Sequence, residues 1–491
     1  MKLAKLIIHL FLPTSFTTVI NAQDIQNSDT IYISADSCKM IKQPWRAAAE
    51  TVGLNLGVWA FDRFIMNADF AKISIHSIRN NVTNGFVWDN DKFSTNLFAH
   101  PYHGNLYFNT ARSNGLNFWE SVPYAMAGSL MWEICAEVEP PAINDFIATT
   151  VGGIALGEIT HRISSLVFND SKQGFPRFVR EFLGTLICPV RGLNRLINGE
   201  MWKVKKSYYR YHAYERIPIT FSIEGGSRYL ADDNNMFKGE NSPFVEMKVT
   251  YGDLFSKENN APYDFFSARA TFGLFSKQPL IGRVNLLGKL WGTPLTGNSN
   301  MEIFFGLFQH FNYFDSEEVI KGSGRIPYKI SEAASFGPGM IYRFPRTNSL
   351  TNLEQRIFLS GILLGGSLSD YYHIIDRNYN MGSGYSIKNN TILDFGRYGS
   401  FALNLDLYQI FTWKGYKAQD IQGTDPLYLN AQGDKGNVIL GVVNPIILLN
   451  LNRHFKANLE VSYFYRRTHY SYYDDITNNT FETRLGLLYQ F

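Results

Sequence analysis

Phe481-Glu482-Thr483-Arg484-Leu485-Gly486-Leu487-Leu488-Tyr489-Gln490-Phe491 ends the chain, and its alternation decides the fold. Successive side chains of a strand point to opposite faces. Phe481, Thr483, Leu485, Leu487, Tyr489 and Phe491 therefore share one face, and Glu482, Arg484, Gly486, Leu488 and Gln490 share the other. In a transmembrane barrel the first set faces lipid and the second faces a polar lumen. Phe491, with Tyr489 two before it, also has the form of a terminal signal for the barrel-assembly machinery. That machinery and outer-membrane lipids are the partners this ending predicts.

The same alternation recurs upstream. Ile217, Ile219, Phe221 and Ile223 alternate with Thr220, Ser222 and Glu224. Val245, Met247, Val249 and Tyr251 alternate with Glu246, Lys248 and Thr250. Phe455, Ala457, Leu459, Val461, Tyr463 and Tyr465 alternate with Lys456, Asn458, Glu460, Ser462 and Arg466. Such regular charges suit a polar lumen and are costly inside a soluble sandwich. About twelve segments are expected, starting near residues 217, 243, 264, 281, 300, 332, 355, 385, 399, 437, 454 and 480. An even count fits a single-chain barrel. Gly396 to Gly399 and Asn450 to Arg453 read as tight turns. Asp315 to Pro327, Ser369 to Gly384, Lys414 to Gly436 and Arg467 to Asn479 read as long polar loops. Ser276 to Leu280 breaks that pattern, a short connection where a long loop is expected.

Before residue 216 the period is helical, from Pro44 to about Lys206. One helix is expected over Arg46 to Met66, and a second is capped by Asn117. A third is capped by Asn144 or Asp145 and runs through Ile147, Val151, Ile154, Ile159 and Ile163. A fourth spans Arg177 to Ile187. Glu50, Asp62, Glu133, Asp145 and Glu158 keep every uncharged run shorter than a membrane span. At the start, Lys2 and Lys5, the apolar Leu6 to Phe16 and a small residue at Ala22 read as a secretory signal cut before Gln23. The organisation expected is a signal over 1–22, a flexible segment over 23–43, a helical periplasmic or plug domain over 44–206 and a barrel over 216–491.

Composition agrees. The 491 residues carry a net charge of +3, too small to argue for a nucleic-acid partner. Aromatics make up 15% of the chain while mean hydropathy is only -0.15. That combination fits alternating strands with aromatic girdles better than helical spans. Cys38, Cys135 and Cys188 are an odd, scattered set from which no disulfide framework follows. Cys135, in an apolar run, reads as a small buried hydrophobe.

Within the helical region, Asn96-Leu-Phe-Ala-His100-Pro-Tyr-His103-Gly104, Tyr107-Phe108-Asn109 and Ala111-Arg-Ser-Asn-Gly115 resemble an uncharacterised domain family of exported proteins from the Bacteroides group. Phe118-Trp-Glu-Ser121, Asn144-Asp145, Gly152-Gly153 and Gly157-Glu158 extend the resemblance over roughly Pro44 to Ile197. It implies the domain's identity and no activity, cofactor or catalytic residue.

The residues themselves offer weak candidates. His100 and His103, three apart, are a possible metal pair or proton carrier. Their structural alternative is a loop in which His100 and Asn105 bond the backbone around Pro101. Glu158 and His161 have the i, i+3 spacing of a di-metal bundle, with Glu133 and Glu137 as the extra acids. The alternative is a buried Glu158–His161 bond tying helices together. Glu120 and Asp145 suit helix caps. Gly152, Gly153 and Gly157 suit close helix packing. Arg177, Arg180, Arg191, Arg195, Lys203, Lys205 and Lys206, interleaved with Phe175, Phe178, Phe182 and Trp202, fit either lipid phosphates or a solvated face. Three functions stay open. One is an outer-membrane barrel with a plug or partner-binding domain, a periplasmic partner included. One is an outer-membrane enzyme acting on lipid or glycan at His100, His103, Glu158 and His161. One is a narrow pore.

Overall fold

The computed structural model describes residues 41–491 except 89–90, 205–217, 233–234, 256–260, 275–276, 296–300, 346–351, 372–376, 418, 420–421 and 424–432. The expected signal, most of the flexible segment, Cys38, Lys205 and Lys206 lie outside the described residues.

Twelve antiparallel strands close into one barrel in chain order. They are β1 Ile219–Asp232, β2 Asn235–Tyr251, β3 Phe266–Gly273, β4 Ile281–Leu295, β5 Glu302–Asp315 and β6 Lys329–Pro345. The rest are β7 Asn352–Leu368, β8 Tyr379–Asp394, β9 Gly399–Thr412, β10 Gly436–Asn450, β11 Phe455–Tyr470 and β12 Ile476–Gln490. The terminal strand closes the barrel against the first, in register from Ser222↔Gln490 to Leu230↔Glu482. The expected count holds despite the short 274–280 connection. β2, β8 and β12 start earlier than their alternation does. Lys238-Gly239-Glu240 in β2, Gly382-Ser383-Gly384 in β8 and Asn478-Asn479 in β12 interrupt the alternation, yet their backbones continue the ladder, so the expected loops before β8 and β12 are shorter.

The lumen is filled by the barrel's own side chains. Arg283 on β4 reaches across to Glu460 on β11 at 2.6 Å. Arg269 also binds Glu460, and Arg484 bridges Glu246 at 3.0 Å and Glu482 at 2.6 Å. Arg228 completes the network on Glu482 at 3.2 Å. On the opposite wall Glu332 holds Lys388, Ser386 and Asn312. Phe314 meets Phe464 across the lumen, centroids 6.1 Å apart. Chords between β4 or β5 and β11 are possible only on the concave side, which fixes the inward face.

The N-terminal region is helical: α1 Pro44–Phe64, α2 Ile75–Asn84, α3 His100–Ser113, α4 Phe118–Cys135, α5 Ile143–Ile147, α6 Gly153–Val167, α7 Gly174–Ile187 and α8 Pro189–Ile197. One-turn π-helical segments, Thr95–Ala99 and Ala148–Gly152, lead into α3 and α6. The predicted Asn117 cap is present as a reciprocal pair with Glu120. The stretch expected as a loop around Pro101 is instead the first turn of α3. Pro101 follows the π-helical turn Thr95–Ala99, which the His100 N–H closes on the Thr95 carbonyl.

The helical domain does not plug the barrel. Its shared core with the barrel contains Tyr251, Phe266, Val284, Leu286, Phe311 and Tyr313. Val284 lies between lumen-facing Arg283 and Asn285, and Tyr313 between lumen-facing Asn312 and Phe314, so both point outward. Phe93 stacks on Tyr313 with centroids 5.2 Å apart. Gln309, also outward, donates to the Val151 carbonyl at 2.8 Å. The contact runs from rim to rim. Trp88 packs on Trp413 after β9, while Arg162 reaches the Pro262 carbonyl in the β2–β3 connection at the other end. The plug expectation is thus corrected: the lumen is already occupied, and the domain covers the outer wall.

Helices α1, α4 and α7 bury polar residues and expose apolar ones. In α1 the buried residues are Ala47, Thr51 and Asn55, whereas Val52, Leu56, Phe61 and Phe64 are exposed. Every exposed residue of α4 is uncharged, Trp119, Pro123, Met126, Ala127, Leu130 and Cys135, while Ser121, Ser129 and Glu133 are buried. Cys135 is therefore exposed and Cys188 buried, the reverse of the expectation for Cys135. The basic stretch behaves likewise. Arg177, Arg180 and Arg195 turn inward and pair with Asp170, Glu181 and backbone carbonyls. Phe175, Phe178 and Phe182 stack outward in a row, 58% to 70% exposed. Neither a solvated basic face nor cations on lipid phosphates describes these three arginines.

Candidate functional site: a histidine and two carboxylates between helices

The site depends on how closely α3 and α6 approach. A Cβ on Gly104 would lie 1.7 Å from the Thr149 carbonyl oxygen, and one on Gly153 would lie 2.5 Å from Gly104. Only glycine allows this backbone contact, as the Gly152-Gly153 pair suggests. It brings the start of α3 against the π-helical turn at Ala148–Gly152 and the short α5.

Three side chains meet there. His100 opens α3, Glu133 lies in the last turns of α4, and Asp145 lies in α5. One ligand atom from each falls within 4.8 Å of the others. His100 Nε2 is 3.4 Å from Asp145 Oδ1, and His100 Nδ1 is 3.3 Å from the Thr149 hydroxyl. Asn144 donates to Asp145 Oδ1 at 2.8 Å, and the Ala142 N–H donates to Glu133 Oε2 at 2.9 Å. Such a set can hold a proton or a cation between the imidazole and the carboxylates.

The other predicted residues stand apart. His103, one turn along α3, packs on Tyr107 and Trp132, centroids 4.6 and 5.0 Å away. Glu158 is not bonded to His161 in the way expected. Its oxygens accept from Arg112 Nε at 2.7 Å and Arg162 Nε at 2.7 Å. Both guanidiniums thus pair with this fully buried carboxylate. His161 lies on α6 beyond Glu158, where its carbonyl accepts from Ser164 and Arg191. Of the four predicted residues, only His100 belongs to the three-ligand cluster. Reading the sequence missed Glu133 and Asp145 as its partners; the single available signal was that each is an acid in an apolar run.

No curated protein matches the chain. Solved structures similar to it include porins and outer-membrane channels. The NanC porin is 11% identical at a TM-score of 0.27, over 55% of this chain and 98% of that one. An outer-membrane channel from Pseudomonas putida F1 is 8% identical at 0.27, over 57% and 98%. The KdgM porin is 11% identical at 0.23, over 55% and 99%. Likenesses this distant add no argument to the strand pairing itself. Residues 85–190, which hold His100, Glu133, Asp145 and Glu158, match the family model described as a domain of unknown function (DUF3943).

Proposed function

We propose an exported outer-membrane protein, of the Bacteroides-group type its motifs resemble, in which the barrel is a scaffold and the helical domain works within the lipid. One observation carries this reading. The domain sits on the outward wall from rim to rim and turns apolar faces of α1, α4 and α7 outward, with Glu133, Glu158, Arg177 and Arg180 buried beneath them. Monomeric soluble proteins rarely expose contiguous apolar surface of this kind. Leu56, Met126, Leu130 and Phe178 are exposed on the helical domain as Leu405, Ile439, Leu485 and Leu487 are on the outer barrel wall. No helix among the described residues is long and apolar enough to cross a membrane alone. The buried polar faces of α1 and α4 explain that: they need partner helices and the barrel wall before lipid is tolerable.

The barrel is not read as an open pore, because Arg269, Arg283, Glu460 and Arg484 cross its lumen. A second reading, an enzyme acting on lipid at the His100 centre, is favoured by the convergence of His100, Glu133 and Asp145 inside that domain. Cell fractionation with heat-modifiability on gels, followed by planar-bilayer recording, tests the proposal. Outer-membrane recovery without steady conductance is expected. Recovery as a soluble periplasmic protein, or a stable open channel, would overturn it.

A further inference from the structure

We propose that His100, Glu133 and Asp145 form a mononuclear divalent-cation site of the zinc type, with at least one position left for water or ligand. The inference rests on the cluster and holds whether or not the domain lies in lipid.

Ligand geometry is the first argument. Zinc takes imidazole nitrogen and carboxylate oxygen at ~2.0–2.1 Å, so neighbouring ligands of a tetrahedral centre are roughly 3.3–3.4 Å apart. His100 Nε2 and Asp145 Oδ1 are 3.4 Å apart. All three ligand atoms lie within 4.8 Å of one another, so one ion can touch each after small side-chain adjustment.

The surrounding shell is the second. Metal-binding histidines usually hydrogen-bond through their other ring nitrogen, which fixes the tautomer, and ligating carboxylates are themselves hydrogen-bonded. Here Thr149 takes His100 Nδ1, leaving Nε2 toward Asp145. Asn144 holds Asp145, and the Ala142 N–H holds Glu133. Each ligand thus has a partner that orients it.

The third is unused polarity beside the cluster. His103 Nε2, one turn along α3, and Ser129 Oγ, one turn before Glu133, are buried with no hydrogen-bond partner among the described residues. Buried polar groups are normally satisfied. Each lies one helical turn from a cluster residue, on α3 and α4 respectively.

Three protein ligands leave a tetrahedral zinc one open position, the arrangement of catalytic rather than structural sites. The test uses the full chain purified in detergent and stripped with a chelator, then titrated with Zn2+ and with Co2+ as a spectroscopic stand-in. One-to-one uptake is expected, with visible Co2+ absorption of a low-coordinate site. His100→Ala and Asp145→Asn should each weaken uptake by roughly 10–100-fold or more, since even outer-shell changes cost about that much. His161→Ala should leave uptake unchanged. Thr149→Val, which keeps every ligand, should also weaken it, and it serves if either ligand variant fails to fold. Absence of one-to-one uptake by the native chain would overturn the proposal. So would uptake that His100→Ala, Asp145→Asn and Thr149→Val leave intact.

Discussion

Glu158 shows what burial does to a single charge in this protein. Fully enclosed, it is held by Arg112 and Arg162, and it in turn compensates both. Removing one partner of a buried ion pair leaves an uncompensated charge and typically costs about 3–5 kcal/mol. Glu158→Ala should therefore destabilise the helical domain by that order, read from denaturant unfolding followed by helical circular dichroism. A change within the ordinary surface range would mean that the triad is not formed. The same reasoning applies in the lumen. Glu482 sits between Arg228, Arg484 and Tyr328, so Glu482→Ala is not a neutral change of one lumen group among many. Impaired folding is expected in a heat-modifiability assay; an unaffected folded band would contradict the network. At this scale the sequence was partly legible. Close packing at Gly152 and Gly153 follows from residue type. Arg162 stands at i, i+4 from Glu158 on one helix, but Arg112 for Glu158, and Glu133 and Asp145 for His100, do not follow, because they come from helices 33 to 46 residues away whose spacing encodes no contact.

Among the elements, strands were the most legible. Alternation places Leu485 and Leu487 outward and Arg484 inward, and the pairing of β12 with β1 and β11 agrees. Leu487→Arg should cost roughly 2–4 kcal/mol if that face lies at mid-bilayer. The readout is loss of the folded, heat-modifiable form, and full assembly of the variant would contradict the face assignment. Helices were read less well. The loop expected as the structural alternative around Pro101 is helix α3, where Pro101 lies in the first turn and Gly104 permits the crossing with α6. In α7 the arginines expected on lipid phosphates or a solvated face are the buried side. Amphipathic periodicity defines two faces and is silent on which one meets solvent. Here Asp170 and Glu181 draw the arginines inward and leave the phenylalanines out. Crossing the α3–α6 contact with bulk should be severe: Gly153→Leu is expected to prevent a compact helical domain, seen as rapid proteolysis between 44 and 204. Native-like protease resistance would count against the crossing.

For the whole molecule, the sequence implies a barrel and a helical domain but not their arrangement. Both a plug and a lateral partner satisfy the same hydrophobic pattern. The decision comes from counting faces in three dimensions: the lumen is closed by its own charges and aromatics, so the helices have only the outer wall. That wall is what places α1 and α4 where, in the proposed membrane, lipid must meet them. Spin labels at Leu56, Met126 and Leu130, in full-length protein reconstituted into bilayers, test this most directly through collision with oxygen and with a water-soluble nickel chelate. Leu487 on the barrel wall supplies the lipid reference and Tyr472, in the β11–β12 connection, the water reference. The account predicts high oxygen and low nickel accessibility at all three helical positions, matching Leu487. Nickel accessibility like that at Tyr472 would place the helical domain in water and contradict it.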